Sequence, residues 1–348
     1  MQNSPESQLA STENVIHITR HSASRATRTL MQASWSKKSL ILTPCVADPV
    51  EGVEIKKLTT LNLLRSFKKK PEAMVFHEQE TLTYLFLALA FKTILISSKT
   101  KIVYDIHDIY PYPNLLRKAL KPRKTLKEIL EFIAFKIQSI KIITVSTGLA
   151  LYFYKKFNRK PFVVRSVSLE KAVPISTPRN HFVHFAAGTD RFPFKILPLL
   201  LDNRRLYCYG IGLESVSSSV KNIFKMGPYS AHNLSFLRKY MALVIAENPG
   251  KDKINNYNIK HSLPNKLFQA LSYCLPVIIY GELAEAEEFF GRIDGFIYKW
   301  NGEESELDLI TQRISARKFG DEEDIERIRV FLKSAADAAK KEYQIALK

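Results

Sequence analysis

Four polar side chains, Ser262, Asn265, Lys266 and Gln269, stand at and just inside the start of a helix in the stretch HSLPNKLFQALSYCLPVIIYG, His261 to Gly281. The free N–H groups of a helix start carry partial positive charge and hold anions, and Lys266 adds a full charge there. A diphosphate is the natural guest of such a site. Taken singly, Ser262 reads first as a helix cap and Lys266 as a solvated charge.

The surrounding residues must position this helix start. Pro264 suits the first turn, where its missing N–H costs nothing, and Leu267 and Leu271 follow helical spacing. Cys274-Leu275-Pro276 breaks the helix, and Val277 to Tyr280 is an apolar run suited to a parallel strand covered on both faces. Upstream, strand and helix signals alternate. Strands are expected at Val15–Ile18, Leu40–Leu42, Ala73–Phe76, Ile102–Ile106 and Ile142–Ser146, with helices at 81–91, 115–120, 125–139 and 149–157. A second alternating set begins at His181–Phe185 and continues through Arg205–Tyr209, Asn222–Met226 and Met241–Ala246. Regular alternation of this kind means α/β architecture with parallel, doubly wound sheets. Lys171 to Arg179, with two prolines and little apolar content, reads as a linker, and Asp321 to Lys348 as one long helix.

From Pro264 to Ile278 the sequence resembles the donor-binding helix of GT-B glycosyltransferases, whose pattern runs roughly P-N-K-L-F-E-A-L-A-x-G-L-P-V-I. Every specified position matches except Gln269, Ser272 and Cys274. Retaining members of glycosyltransferase family 4 carry two glutamates eight apart, and His261 and Gln269 stand in those places here. A Lys followed three residues later by Gln is instead similar to the inverting glucuronosyltransferase of xanthan assembly and its relatives.

The resemblance implies two Rossmann-like domains. Residues 1–170 would bind the acceptor, residues 171–320 the nucleotide sugar, and residues 321–348 would form a helix packing back on the first domain. It also implies roles. Inverting transfer needs a base on the first domain to take the acceptor hydroxyl proton. Asp108, just past a strand end beside His107, is the first choice, and Glu78, which also ends a strand, the second. Asp105, inside its strand, reads as structural. Arg20, His21 and Arg25 crowd the first strand-to-helix junction, where open α/β sheets bind ligands, and with His107 they are assigned to the acceptor. Donor contacts are expected from Gly188, Thr189, Met226, Gly227, Tyr257, Ser262, Asn265, Lys266 and Gln269. Lys266 and the helix start meet the leaving-group charge, so no metal or other cofactor is expected, and no Asp-x-Asp arrangement is present to hold one. His17, His181 and His184 lie in expected strands and read as core or edge residues, with no HExxH-type spacing.

Composition bounds the rest. Length allows two cores, and 46% hydrophobic with 25% charged residues is a soluble globular balance. MQNSPESQLA lacks the apolar core of a signal peptide, and the apolar run at 84–96 is interrupted by Lys92. Cys45, Cys208 and Cys274 form no CxxC pair and suit a reducing compartment. Residues 1–170 carry 27 Lys/Arg against 13 Asp/Glu, whereas the remainder carries 25 against 21. The first half is therefore expected to face something anionic, a mere solubility surplus being the plain alternative. A peripheral position on the inner, cytoplasmic face of the cell membrane, with a lipid-linked or cell-surface glycan as acceptor, is the leading expectation. The alternative is a non-catalytic module whose basic half binds nucleic acid or another polyanion. No stacking platform of aromatics accompanies the basic residues, so nucleic acid is not expected.

Overall fold

The computed structural model describes residues 14–21, 27–44, 53–94, 99–108, 122–167, 181–186, 204–210, 222–229, 234–246, 257–258, 260–261, 265–317 and 319–348. The expected linker at 171–179 and the helix at 115–120 lie outside these residues.

Apolar runs build two parallel sheets. The first holds β1 (Asn14–Ile18), β2 (Lys38–Thr43), β3 (Glu54–Lys57), β4 (Ala73–His77), β5 (Lys101–Ile106), β6 (Ile140–Thr144) and β7 (Phe162–Val163) in the order β3-β2-β1-β4-β5-β6-β7. The second holds β8 (His181–Ala186), β9 (Arg205–Gly210), β10 (Ile223–Gly227), β11 (Ala242–Ala246), β12 (Val277–Tyr280) and β13 (Ile297–Trp300) in the order β10-β9-β8-β11-β12-β13. Every residue of β4 and of β11 is buried, as a strand covered on both faces requires. Strand order reverses between β1 and β4 and again between β8 and β11. Each reversal opens a crevice at the strands' carboxyl ends.

The helices α1 (Thr27–Ser34), α2 (Thr60–Lys68), α3 (Leu82–Ile94), α4 (Pro122–Lys136) and α5 (Thr147–Phe157) belong to the first sheet. The Ser146 hydroxyl accepts from Leu149 N and caps α5, which is why β6 stops at Thr144 rather than reaching Ser146. In the second half come α6 (Asn265–Ser272), α7 (Ala284–Phe290) and α8 (Glu304–Ala316), and α9 (Glu322–Leu347) closes the chain. Asp321 caps α9, and Glu322, Glu323 and Asp324 follow in its first turn, where acidic charge complements the helix dipole.

α9 returns across the first domain. Tyr343 is fully buried against Trp35, at 5.6 Å between rings, and its hydroxyl lies 3.4 Å from His17 Nε2. At the other contact between the halves, Glu285 of α7 accepts from Gly148 N at 2.6 Å and Thr147 N at 3.2 Å, so a second-domain carboxylate caps a first-domain helix. Arg165 adds a bidentate pair with Glu288 at 2.7 and 2.9 Å. One buried cluster joins Val15 and Val103 of the first sheet to Leu267, Phe268 and Tyr343.

Candidate active site

α6 starts at Asn265. Its periodicity buries Leu267, Phe268, Ala270 and Leu271, and the Leu and Phe side chains contribute about 1.5–3 kcal/mol each on full burial. Cys274 closes the helix with its N–H on Leu271 O, in left-handed backbone at φ 51°. Glycine tolerates that conformation at no steric cost. The packing leaves Asn265 exposed and Lys266 half-buried, while Gln269 is buried. The Lys266 ammonium lies near enough to His184, in β8, to help burial depress that imidazole's basicity. Lys266 therefore stands by the strand at which the second sheet reverses.

Tyr257 turns toward the first domain: its hydroxyl donates to Gly148 O at 3.1 Å and its ring lies 4.2 Å from that of His261. His261 packs on Gly148 so closely that a Cβ there would fall 2.1 Å from its Nδ1. Met226 and Gly227 end the edge strand β10, Met226 exposed and Gly227 at φ 83°. Arg25, Gly188, Thr189 and Ser262 lie outside the described residues.

In the first domain, the carboxyl ends of β1, β4 and β5 bring His21, Glu78 and His107 together. Glu78 follows β4 with φ 66° and ψ 166°, a backbone region almost confined to glycine. Its N–H donates to Asp105 O at 2.9 Å. One carboxylate oxygen lies 2.5 Å from His21 Nε2 and the other 3.0 Å from His107 Nδ1. Burial pushes Glu78 up, but the contacts from His107 and then His21 outweigh it and hold the group well below the usual carboxylate range. Burial alone would lower His107. The charge of Asp105 and its contacts to Asp105 and Glu78 prevail and raise it to about 9. Asp108, one residue further on, is half-buried, and Arg20 is exposed.

Behind this cluster sits a network that residue type alone did not reveal. Asp105 is fully buried and held by Arg28 through two contacts of 2.8 Å and by Gln32 Nε2 at 2.8 Å. Arg28 also donates to Val164 O and Ser166 Oγ. His77 Nδ1 lies 3.1 Å from Asp105, and its other nitrogen lies 3.1 Å from His17 Nδ1. Burial keeps both His17 and His77 below their ordinary pKa. The available signal was a lone Asp inside an apolar strand, with Arg28 and Gln32 one helical turn apart after β1. His77, Asp105 and His107 offer ligand atoms within 4.8 Å of one another. A divalent ion there would have to displace the Arg28 guanidinium and the His107 proton.

In sequence, the chain matches no family model and no curated protein. In structure it is similar to Anabaena HepE solved with UDP-glucose, with a TM-score of 0.64 at 12% identity over 94% of this chain and 97% of that one. It is similar to WaaG, a glycosyltransferase involved in lipopolysaccharide biosynthesis, with a TM-score of 0.59 at 10% identity over 95% and 99%. AviGT4, a glycosyltransferase involved in avilamycin A biosynthesis, gives 0.59 at 10% over 96% and 98%. The chain has the GT-B fold, two parallel-sheet Rossmann-like units across nearly its whole length.

Proposed function

We propose that this protein is a glycosyltransferase moving a sugar from a nucleotide donor, UDP-linked as in the HepE complex, to a glycan or lipid-linked acceptor. The observation that carries the reading is the pairing of two strand-end sites on a GT-B frame: Lys266 and the start of α6 on one unit, and the His21–Glu78–His107 cluster on the other. The first suits the diphosphate of donor and leaving group, because a cation and helix N–H groups gain most where negative charge grows. The second suits the acceptor hydroxyl, whose proton must be taken as it attacks. We assign the donor contacts to Asn265, Lys266 and Gln269, with the Met226–Gly227 end of β10 at the base. Asp108 and Glu78 are the carboxylates within the acceptor side's reach.

Inversion at the anomeric carbon is favoured because His261 and Gln269 stand where retaining relatives carry glutamates. Lys266 meets the leaving-group charge without a metal. A position at an anionic membrane surface is supported by α4 and α5: Leu126, Phe132, Ile133, Leu151 and Tyr154 are 40–56% exposed, among Lys127, Lys136, Lys155 and Lys156. No described helix is long and apolar enough to cross a membrane.

The test is a panel of UDP-sugars with UDP release as readout, water or simple glycosides serving as acceptors. Turnover with one donor, lost in Lys266→Ala, supports the reading. A folded wild type that neither binds UDP nor releases it from any donor refutes it.

A further inference from the structure

Within the sugar-transfer reading, on which it rests, we infer that His21 is the catalytic base and that Glu78 is its positioning carboxylate. The imidazole of His21 is 52% exposed at the mouth of the cluster, whereas Glu78 is 19% exposed behind it. The loop that carries His21 is fixed on both sides: its N–H donates to Thr19 Oγ1 at 3.2 Å, and its carbonyl accepts from Thr43 Oγ1 at 2.6 Å. Nε2 faces Glu78 at 2.5 Å, and among the described residues Nδ1 has no hydrogen-bond partner. One ring nitrogen is thus oriented by a half-buried carboxylate while the other keeps no partner among the described residues, the arrangement by which a third group fixes tautomer and direction of a base.

The neighbours are less able to take a proton. Glu78 has both oxygens engaged by imidazoles and is held well below the usual carboxylate range despite its burial. His107 already carries its proton up to about pH 9. Asp105 is sealed against Arg28. His21 is raised by its Glu78 contact, and of these groups its ring is the most open to an acceptor hydroxyl. The groups facing it are Glu78 and Glu80, which raise it, and His107, which lowers it. Arg20 precedes it in the loop.

The step balances without a further reactant. The acceptor oxygen forms its bond to the anomeric carbon as His21 Nδ1 takes the hydroxyl proton. The bond from that carbon to the diphosphate oxygen breaks, and its electron pair leaves with the nucleoside diphosphate. The imidazolium is stabilised by Glu78, which is itself held by His107 and, behind it, by Asp105 and Arg28. The proton then passes to water from the exposed ring.

The experiment combines imidazole NMR titration of His21, which needs neither donor nor acceptor, with pH profiles of turnover. His21 should titrate above about 6.5, and Glu78→Gln should lower that value and the acidic limb of kcat/KM together. His21→Ala should lose about 10²–10⁴-fold in kcat with UDP affinity within about twofold, and added imidazole should restore part of the rate. His21→Gln, closer in shape, should be as inactive but without rescue. The assignment is overturned if His21→Ala keeps most of its turnover, if His21 titration ignores Glu78→Gln, or if Asp108→Asn alone abolishes transfer while His21→Ala does not. An active wild type with an active His21→Ala variant sinks only this assignment. A wild type that neither binds nor turns over UDP-sugars sinks the sugar-transfer reading itself.

Discussion

Replacing Glu78 by glycine and by alanine separates backbone strain from side-chain loss. Both substitutions delete the carboxylate and its contacts to His21 and His107 equally. Only alanine keeps a Cβ at φ 66°, ψ 166°, where a non-glycine residue costs about 1–3 kcal/mol. Glycine loses more chain entropy on folding, about 0.4–1 kcal/mol relative to alanine. The difference leaves the glycine variant more stable, by about 1 kcal/mol at mid-range. For a folding unit of about 150–250 residues that is about 2–4 °C in Tm. The assay is thermal or urea unfolding of both variants beside a control pair at Thr83, exposed in α3. There glycine should be worse than alanine by about 1 kcal/mol. The sign should therefore invert between the two positions, with turnover reduced in both Glu78 variants. An alanine variant at position 78 as stable as the glycine one would show that the backbone there is not strained, and the argument from strain to function would fall.

Stability should peak near pH 6.5, the ordinary histidine value. His107, raised to about 9, contributes stability fully present below 6.5 and lost as pH rises through 9, so His107→Gln should flatten the alkaline limb of Tm against pH. Burial holds His17, His77 and His184 below their ordinary values, so on the acid side the unfolded chain takes up their protons first and stability falls below 6.5. Arg28→Met should cost about 3–5 kcal/mol in urea unfolding by stranding the Asp105 carboxylate, and adding Asp105→Asn should recover a large part of it; strict additivity in the double mutant would contradict the network. Wild type should co-sediment with anionic but not neutral liposomes. Phe132→Ser with Leu151→Ser should weaken that binding about 30-fold if each half-exposed side chain adds about 1 kcal/mol, and binding indifferent to both the substitutions and salt would exclude this surface.

The fold was legible because its strands are apolar runs and its helices repeat at 3.6 residues. β1, β4, β5, β11 and β12 all fell where the runs did. β3 escaped notice because it is a polar edge strand, EIKK, with its side chains largely exposed, and edges favour charge over apolar pattern. α3 starts at Leu82, after a tight turn at Gln79–Thr81 in which the Thr81 hydroxyl donates to His77 O and Glu78 O. At the site, residue type and strand-end position single out Glu78, His21 and His107 as candidates, but not their connection. That depends on the β4–β5 register, which sets His77 beside Asp105, and on Arg28 reaching across 77 positions of sequence. Tyr257 reads from sequence as a loop tyrosine near a diphosphate, whereas its hydroxyl is bonded to Gly148 of the other domain.

Calorimetric titration of UDP into wild type, Lys266→Ala and Glu78→Gln tests the division of labour between the two units most directly. Losing one charge-assisted contact costs about 1.5–3 kcal/mol, so Lys266→Ala should bind UDP about 10- to 150-fold more weakly. Glu78→Gln should bind it as wild type does while turning over more slowly, with the acidic limb of its kcat/KM profile moved down. Equal UDP affinity in wild type and Lys266→Ala, or UDP binding lost with Glu78 instead, would contradict the placement of the donor on the second unit and of proton transfer on the first.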